Sequence, residues 1–130
     1  MQIDNCQLMA RYAITRGRSG YAVPSQRRHV GAQLLRSGTS SAANYEEACA
    51  AESRADCIHK LKIALKELRE SRFWLRLMLK AELRTTPGIQ EVAQEASELC
   101  NIVAKSIVTA KTNAAKKSSA VRVSHLDARE

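Results

Sequence analysis

The stretch SRADCIHKLKIALKELRESRFWLRLMLKA, residues 53 to 81, contains neither Gly nor Pro, and its apolar and basic residues each recur every three or four positions. That period predicts one long α-helix. Ser53, followed three residues on by Asp56, supplies an S-x-x-D start signal. Ile58, Leu61, Leu65, Leu68, Leu75 and Leu79 form a stripe that follows the 3.6-residue turn, with Arg72 at the one interruption, and such a stripe is expected to face a core. A second stripe of the same spacing, Lys62, Lys66, Arg69, Phe73, Arg76 and Lys80, carries five positive charges around one aromatic ring. No acid on that stripe cancels its field, which makes it the candidate nucleic-acid-binding surface, set against the plainer reading of a solvated helix face.

Outward from this helix, the period continues on both sides. Residues 25 to 50 read as a helix with Val30, Leu34, Ser41, Tyr45 and Ala48 inward and Gly38 at its middle. Its centre, RSGTSSAANYEEA, places small and polar residues where bulky ones normally fill a core. Either a neighbouring helix approaches closely there or a polar network crosses the interface. Downstream, AELRTTPG ends the long helix, and Thr86 with Pro87 reads as the start of another that runs to about Asn113. Its expected stripe is Ile89, Val92, Ala96, Leu99, Val103, Ile107 and Ala110, with Glu91, Glu95 and Glu98 near the end where the helix dipole favours acids. Residues 114–130 lose the period and are expected to be a mobile basic tail. At the other extreme, residues 3 to 16 read as a short amphipathic helix, separated by the Gly- and Pro-containing GRSGYAVPSQ. Four apolar-striped helices on short connections pack most simply as an antiparallel up-down-up-down four-helix bundle over residues 1–113, an all-α fold.

Composition agrees and excludes several classes. A chain of 130 residues with five Gly and two Pro suits one helical domain. Its longest apolar run is far short of the roughly 20 residues that cross a bilayer, and no secretory signal is expected. Cys6, Cys49, Cys57 and Cys100 form no C-x-x-C pair, so they read as reduced core thiols of a cytoplasmic protein, with no metal and no cofactor expected. His29, His59 and His125 are scattered without H-x-x-x-H or E-x-x-H spacing, and GRSG lacks the Lys and Ser/Thr positions of a phosphate loop, so no enzyme is expected. The balance of 21 Lys and Arg against 13 Asp and Glu, net +8, favours a polyanionic partner.

A second set of residues does not fit a plain apolar stripe: Arg36, Asn44, Glu47, Glu67, Glu70 and Arg72 lie on or beside the inward positions, with Glu70 one turn before Trp74. Arg36, Asn44, Glu47, Glu67, Glu70 and Trp74 form the candidate structural network. Its central expectation is a pair between Arg36 and either Glu67 or Glu70, fixing one helix against the next in a single register; the alternative is solvated charge at a stripe edge.

Four segments are specific enough to carry a resemblance: Gln33 to Ser40 (QLLRSGTS), Ala43 to Ala48 (ANYEEA), Ile58 to Glu67 (IHKLKIALKE) and Glu70 to Leu77 (ESRFWLRL). Together they resemble the four-helix-bundle proteins encoded in intervening sequences of bacterial 23S ribosomal RNA genes, over roughly residues 5 to 113. The resemblance implies a ring-like homopentamer. It also implies a distant similarity to the basic accessory variability proteins of diversity-generating retroelements, which bind nucleic acid and a reverse transcriptase. The Gly-rich first connection and the long C-terminal tail depart from the pattern. The expected function is therefore a non-catalytic homo-oligomer presenting basic surface to RNA or an RNA-bound protein. The alternative is a structural or adaptor protein whose stripe serves subunit or partner contacts.

Overall fold

In the computed structural model, which describes residues 24–81, 83 and 87–127 and side chains as far as 116, the long central helix begins where its cap signal lies. Three helices are described: α1, Pro24–Cys49; α2, Arg54–Lys80; and α3, Ile89–Asp127. Ser53 caps α2 in an extended conformation, its hydroxyl accepting a hydrogen bond from the Asp56 amide at 3.1 Å. That bond satisfies one of the amides left orphaned at a helix start. The helix expected over residues 3 to 16 lies outside the described residues, as does Thr86. Among the described residues the fold is all-α, with three helices and no strand.

α2 is the middle element. Val30 packs with Leu77 and Leu83 at one end, Ser37 meets Ser71 midway, and Ala48 packs with Leu61 at the other end. Sequence numbers rise on α1 as they fall on α2, so the two are antiparallel. The same holds on the other side, where Leu75 packs with Ala93 and Ala96 while Leu61 and Leu65 pack with Cys100, Val103 and Ile107. No Cα of α1 comes within 8 Å of a Cα of α3 among the described residues, so α2 makes both helix interfaces.

Each stripe differs from its sequence expectation by a small rotation. On α2, Leu61, Leu65 and Leu75 are buried as expected, and Ile58, Leu68 and Leu79 are half-buried. On α1 the buried row is Val30, Ser37, Ser41 and Ala48, whereas Leu34 is half-buried and Tyr45 is 46% exposed. On α3 the buried row is Ala93, Ala96, Cys100, Val103 and Ile107, and Val92 and Leu99 stay about half exposed. The helix spacing allows either set, and in the structure the row richer in small residues packs against the Leu-rich α2. Pro87 lies in a turn, and α3 starts two residues beyond it; Gly88 takes φ 92°, a value only Gly adopts cheaply, and its carbonyl accepts from the Val92 amide at 3.1 Å. The far end also differs. α3 continues to Asp127 instead of stopping near Asn113, so residues 114–127 are helical where a tail without structure was expected.

The small, polar centre of α1 has a specific use. The Ser37 hydroxyl, fully buried, lies 2.8 Å from the Ser71 hydroxyl and donates to the Leu34 carbonyl at 3.3 Å, which leaves Ser71 as donor between the two helices. Of the two readings of this centre, the polar contact is present. Gly38 is not required by lack of space, since a Cβ there would meet only the Ser71 Oγ at 4.0 Å, an ordinary contact distance.

Candidate functional site

Successive residues of a helix turn about 100° each, which places Lys62, Lys66, Arg69 and Lys80 within about 60° of arc on α2. All four are exposed. Apart from Phe73, which shares this arc, the residues that pack with α1 and α3 occupy other parts of the α2 circumference. Arg76 shares this side but is half-buried. Glu70, one turn after Lys66, feels its charge: Lys66 is among the groups that hold the Glu70 carboxyl down. The stripe is therefore a cationic face with one partial offset near Lys66, which spacing along the stripe alone had not disclosed.

Phe73, the aromatic member of the stripe, is turned to another purpose. Its ring meets Trp74 edge-on, with centroids 5.0 Å apart and planes at 71°, and it packs with Trp74 and Met78 against Val30, Leu77 and Leu83. Trp74 in turn meets His29 edge-on at 6.1 Å. Trp74 is half-buried; these contacts place it at the open end of the α1–α2 interface.

The structural network is assembled in part. Arg36 bridges two carboxylates, reaching Glu67 at 3.2 Å and pairing closely with Glu70, and its Nε donates to Gln33 at 3.3 Å. The Trp74 indole N–H donates to the same Glu70 carboxylate at 3.2 Å. The Glu70 pKa is lowered chiefly by the Arg36 hydrogen bond, then by that from Trp74. The Arg36 side chain is half exposed, so this arrangement sets register more than it adds stability. Asn44 is not part of it; its side-chain amide donates to the Ser40 backbone carbonyl at 2.9 Å, a bond within α1. Glu47 pairs with Lys60 at the far end of the same interface, a partner the sequence did not single out although Lys60 follows Ser53 by only two turns. That pairing raises the Lys60 pKa through its hydrogen bond to Glu47.

A second feature is a cleft of about 860 Å³ where the end of α1, the start of α2 and α3 diverge, bordered by Ala48, Cys49, Cys57, Leu61, Ile102 and Ser106 among others. Ile102 is 58% exposed there. Cys100 is buried, Cys57 half-buried and Cys49 exposed, so only two of the three described thiols serve the interior. No group of three or more His, Cys, Asp or Glu that could hold a metal occurs among the described residues, and no described helix is long and apolar enough to cross a membrane.

Comparison with known proteins gives two findings. Residues 18–105 match the family model described as 23S rRNA-intervening sequence protein. The fold is similar to the crystal structure of a protein of unknown function from the S23 ribosomal protein family of Bacteroides thetaiotaomicron, with 32% identity, 79% of this chain and 85% of that chain covered, and a TM-score of 0.56. No curated protein matches the chain.

Proposed function

The chain belongs to the 23S rRNA-intervening sequence protein family, and on that premise we propose that it is a non-catalytic, cytoplasmic homo-oligomer that holds RNA against the basic face of α2. The observation that carries this reading is the exposure of Lys62, Lys66, Arg69 and Lys80 on one side of a helix braced by both its neighbours. Such a face attracts phosphate through charge and counterion release, without reading bases.

Two structural elements complete the proposal. Residues 3 to 16 supply the fourth helix that the sequence period implies for the bundle. Deleting residues 1–17 then lowers the melting temperature, and an unchanged melting temperature refutes this helix. The assembled form is a homopentamer, as the resemblance implies, with the basic faces away from the subunit contacts because five chains of +8 repel one another. A mass near 14.4 kDa by light scattering at micromolar concentration refutes it.

The binding test compares wild type with Lys66→Gln/Arg69→Gln on a structured RNA and an unrelated RNA over a range of salt. The double variant loses affinity for both, and its salt slope falls by about 2 because two phosphate contacts are gone. Equal affinity of the two proteins, at unchanged oligomer mass, refutes the RNA face and leaves an acidic protein partner as the occupant.

A further inference from the structure

We infer that the RNA held by this face is double-stranded and is gripped by its sugar-phosphate backbone across a groove, an inference that rests on the RNA-binding reading above. Proteins that hold single strands combine cationic grooves with aromatic side chains on which successive bases stack, whereas double-stranded RNA is recognised by shape and by phosphate and 2′-hydroxyl contacts. The two modes therefore differ in what they require of the aromatics.

Among the described residues, every aromatic near the face is committed elsewhere. Phe73 lies edge-on against Trp74 and packs into the Val30, Leu77 and Leu83 cluster. Trp74 is held between Phe73 and His29, with its N–H on Glu70. Tyr45, the exposed aromatic of the described residues, is on α1. Among the described residues the face offers cations and no stacking platform.

The spacing of those cations points the same way. At 1.5 Å per residue, Lys62, Lys66 and Arg69 occupy about 10 Å of helix axis, and Lys80 follows about 16 Å beyond Arg69. Arg76, between them, is half-buried. A strand tracked along the helix would be met by evenly spaced exposed charges, but this face has three exposed cations at one end and one exposed cation, Lys80, at the other, with Arg76 half-buried beside it. Two phosphate rows separated by a groove match that arrangement, with the cluster on one strand and Lys80 on the other. The wide, shallow minor groove of an RNA duplex exposes both rows to a helix laid across it.

The experiment measures binding of the full chain to an RNA duplex of about 16 base pairs, to each of its separated strands and to a duplex of scrambled sequence. The duplex binds at least tenfold more tightly than either strand, the scrambled duplex binds equally, and affinity falls with salt at a log–log slope of about 3 to 4 for four contacts. Lys80→Gln, with oligomer mass unchanged, lowers the duplex slope by about 1. A single strand that binds as tightly as the duplex, or a Lys80→Gln variant with the wild-type slope, overturns the inference and leaves RNA binding intact. Absence of binding to every RNA overturns the RNA-binding reading together with it.

Discussion

Replacing Ser37 and Ser71 by Ala, singly and together, tests the contact that joins α1 to α2 at their centres. The two hydroxyls are 2.8 Å apart, with Ser37 fully buried and Ser71 5% exposed. An intramolecular hydrogen bond of this kind contributes about 0.5–1.5 kcal/mol net, while Ala is the better helix former by roughly 0.5 kcal/mol at each site. Ser37→Ala leaves the buried Ser71 hydroxyl without its partner and loses about 0.5–1 kcal/mol after the propensity gain, whereas in Ser71→Ala the Ser37 hydroxyl keeps its bond to the Leu34 carbonyl and the loss is smaller. Replacing both partners leaves no orphan, and the two propensity gains then bring the double variant to wild-type stability or up to about 1 kcal/mol above it. The double-mutant cycle should therefore give a coupling of about 1 kcal/mol or more. Urea unfolding followed by far-UV circular dichroism, at one fixed protein concentration because self-association shifts apparent stability, reads these differences at constant m-value. Additive single effects, with coupling below about 0.3 kcal/mol, refute the role given to the pair.

Gly31→Ala and Gly38→Ala should each stabilise the protein by about 0.5–1 kcal/mol, because a Cβ meets nothing within 4 Å at Gly31 and only Ser71 Oγ at 4.0 Å at Gly38; lower midpoints in urea would show that the helices are closer than described. Leu65→Ala, in the cluster with Leu61, Cys100 and Val103, should cost about 2–5 kcal/mol, and a loss under 1 kcal/mol would place that side chain outside the core. The Glu70 carboxyl is held below its usual 4.5 by Arg36 and Trp74. A lowered folded-state pKa adds stability that is present above 4.5 and is lost as pH falls through the folded value, so fluorescence of Trp74, the single Trp, should change with a midpoint below 4.5. Arg36→Met should move that midpoint upward; an unmoved midpoint would separate Arg36 from Glu70.

The sequence made α2 legible from cap to last turn because both of its signals are local: Ser53 and Asp56 are three residues apart, and the Leu stripe repeats within one helix. The Arg36 pair was also legible, since three charges beside apolar stripes need partners, although spacing could not decide between Glu67 and Glu70 and the structure uses both. What was not legible depended on rotation about a helix axis. Val92 and Leu99 outrank Ala93 and Cys100 in hydrophobicity, yet the smaller pair is buried, because closeness of approach is a property of two helices and is not encoded in one. Phe73 illustrates the same limit. Its place in the basic stripe is a fact of spacing, but its edge-on contact with Trp74 and the Leu83 cluster depends on the turn after α2. The helical continuation to Asp127 was missed because the apolar period fades after Asn113 while Ala and Lys, both good helix formers, persist.

The central position of α2 bears on how the protein opens. Among the described residues no Cα of α1 comes within 8 Å of a Cα of α3, and each side-chain cluster that joins the helices includes residues of α2, so α1 or α3 can detach while the other stays docked, but α2 is released only when both interfaces are undone. Amides of α2 are then the last to exchange with solvent, at the free energy of global unfolding, and those of α1 and α3 exchange through smaller partial openings. The cations of the basic face are thus mounted on the slowest-exchanging of the three described helices. Their backbone is ordered before any ligand arrives, so association with a polyanion spends its free energy on displacing ions and arranging side chains, with none needed to form the helix that carries them.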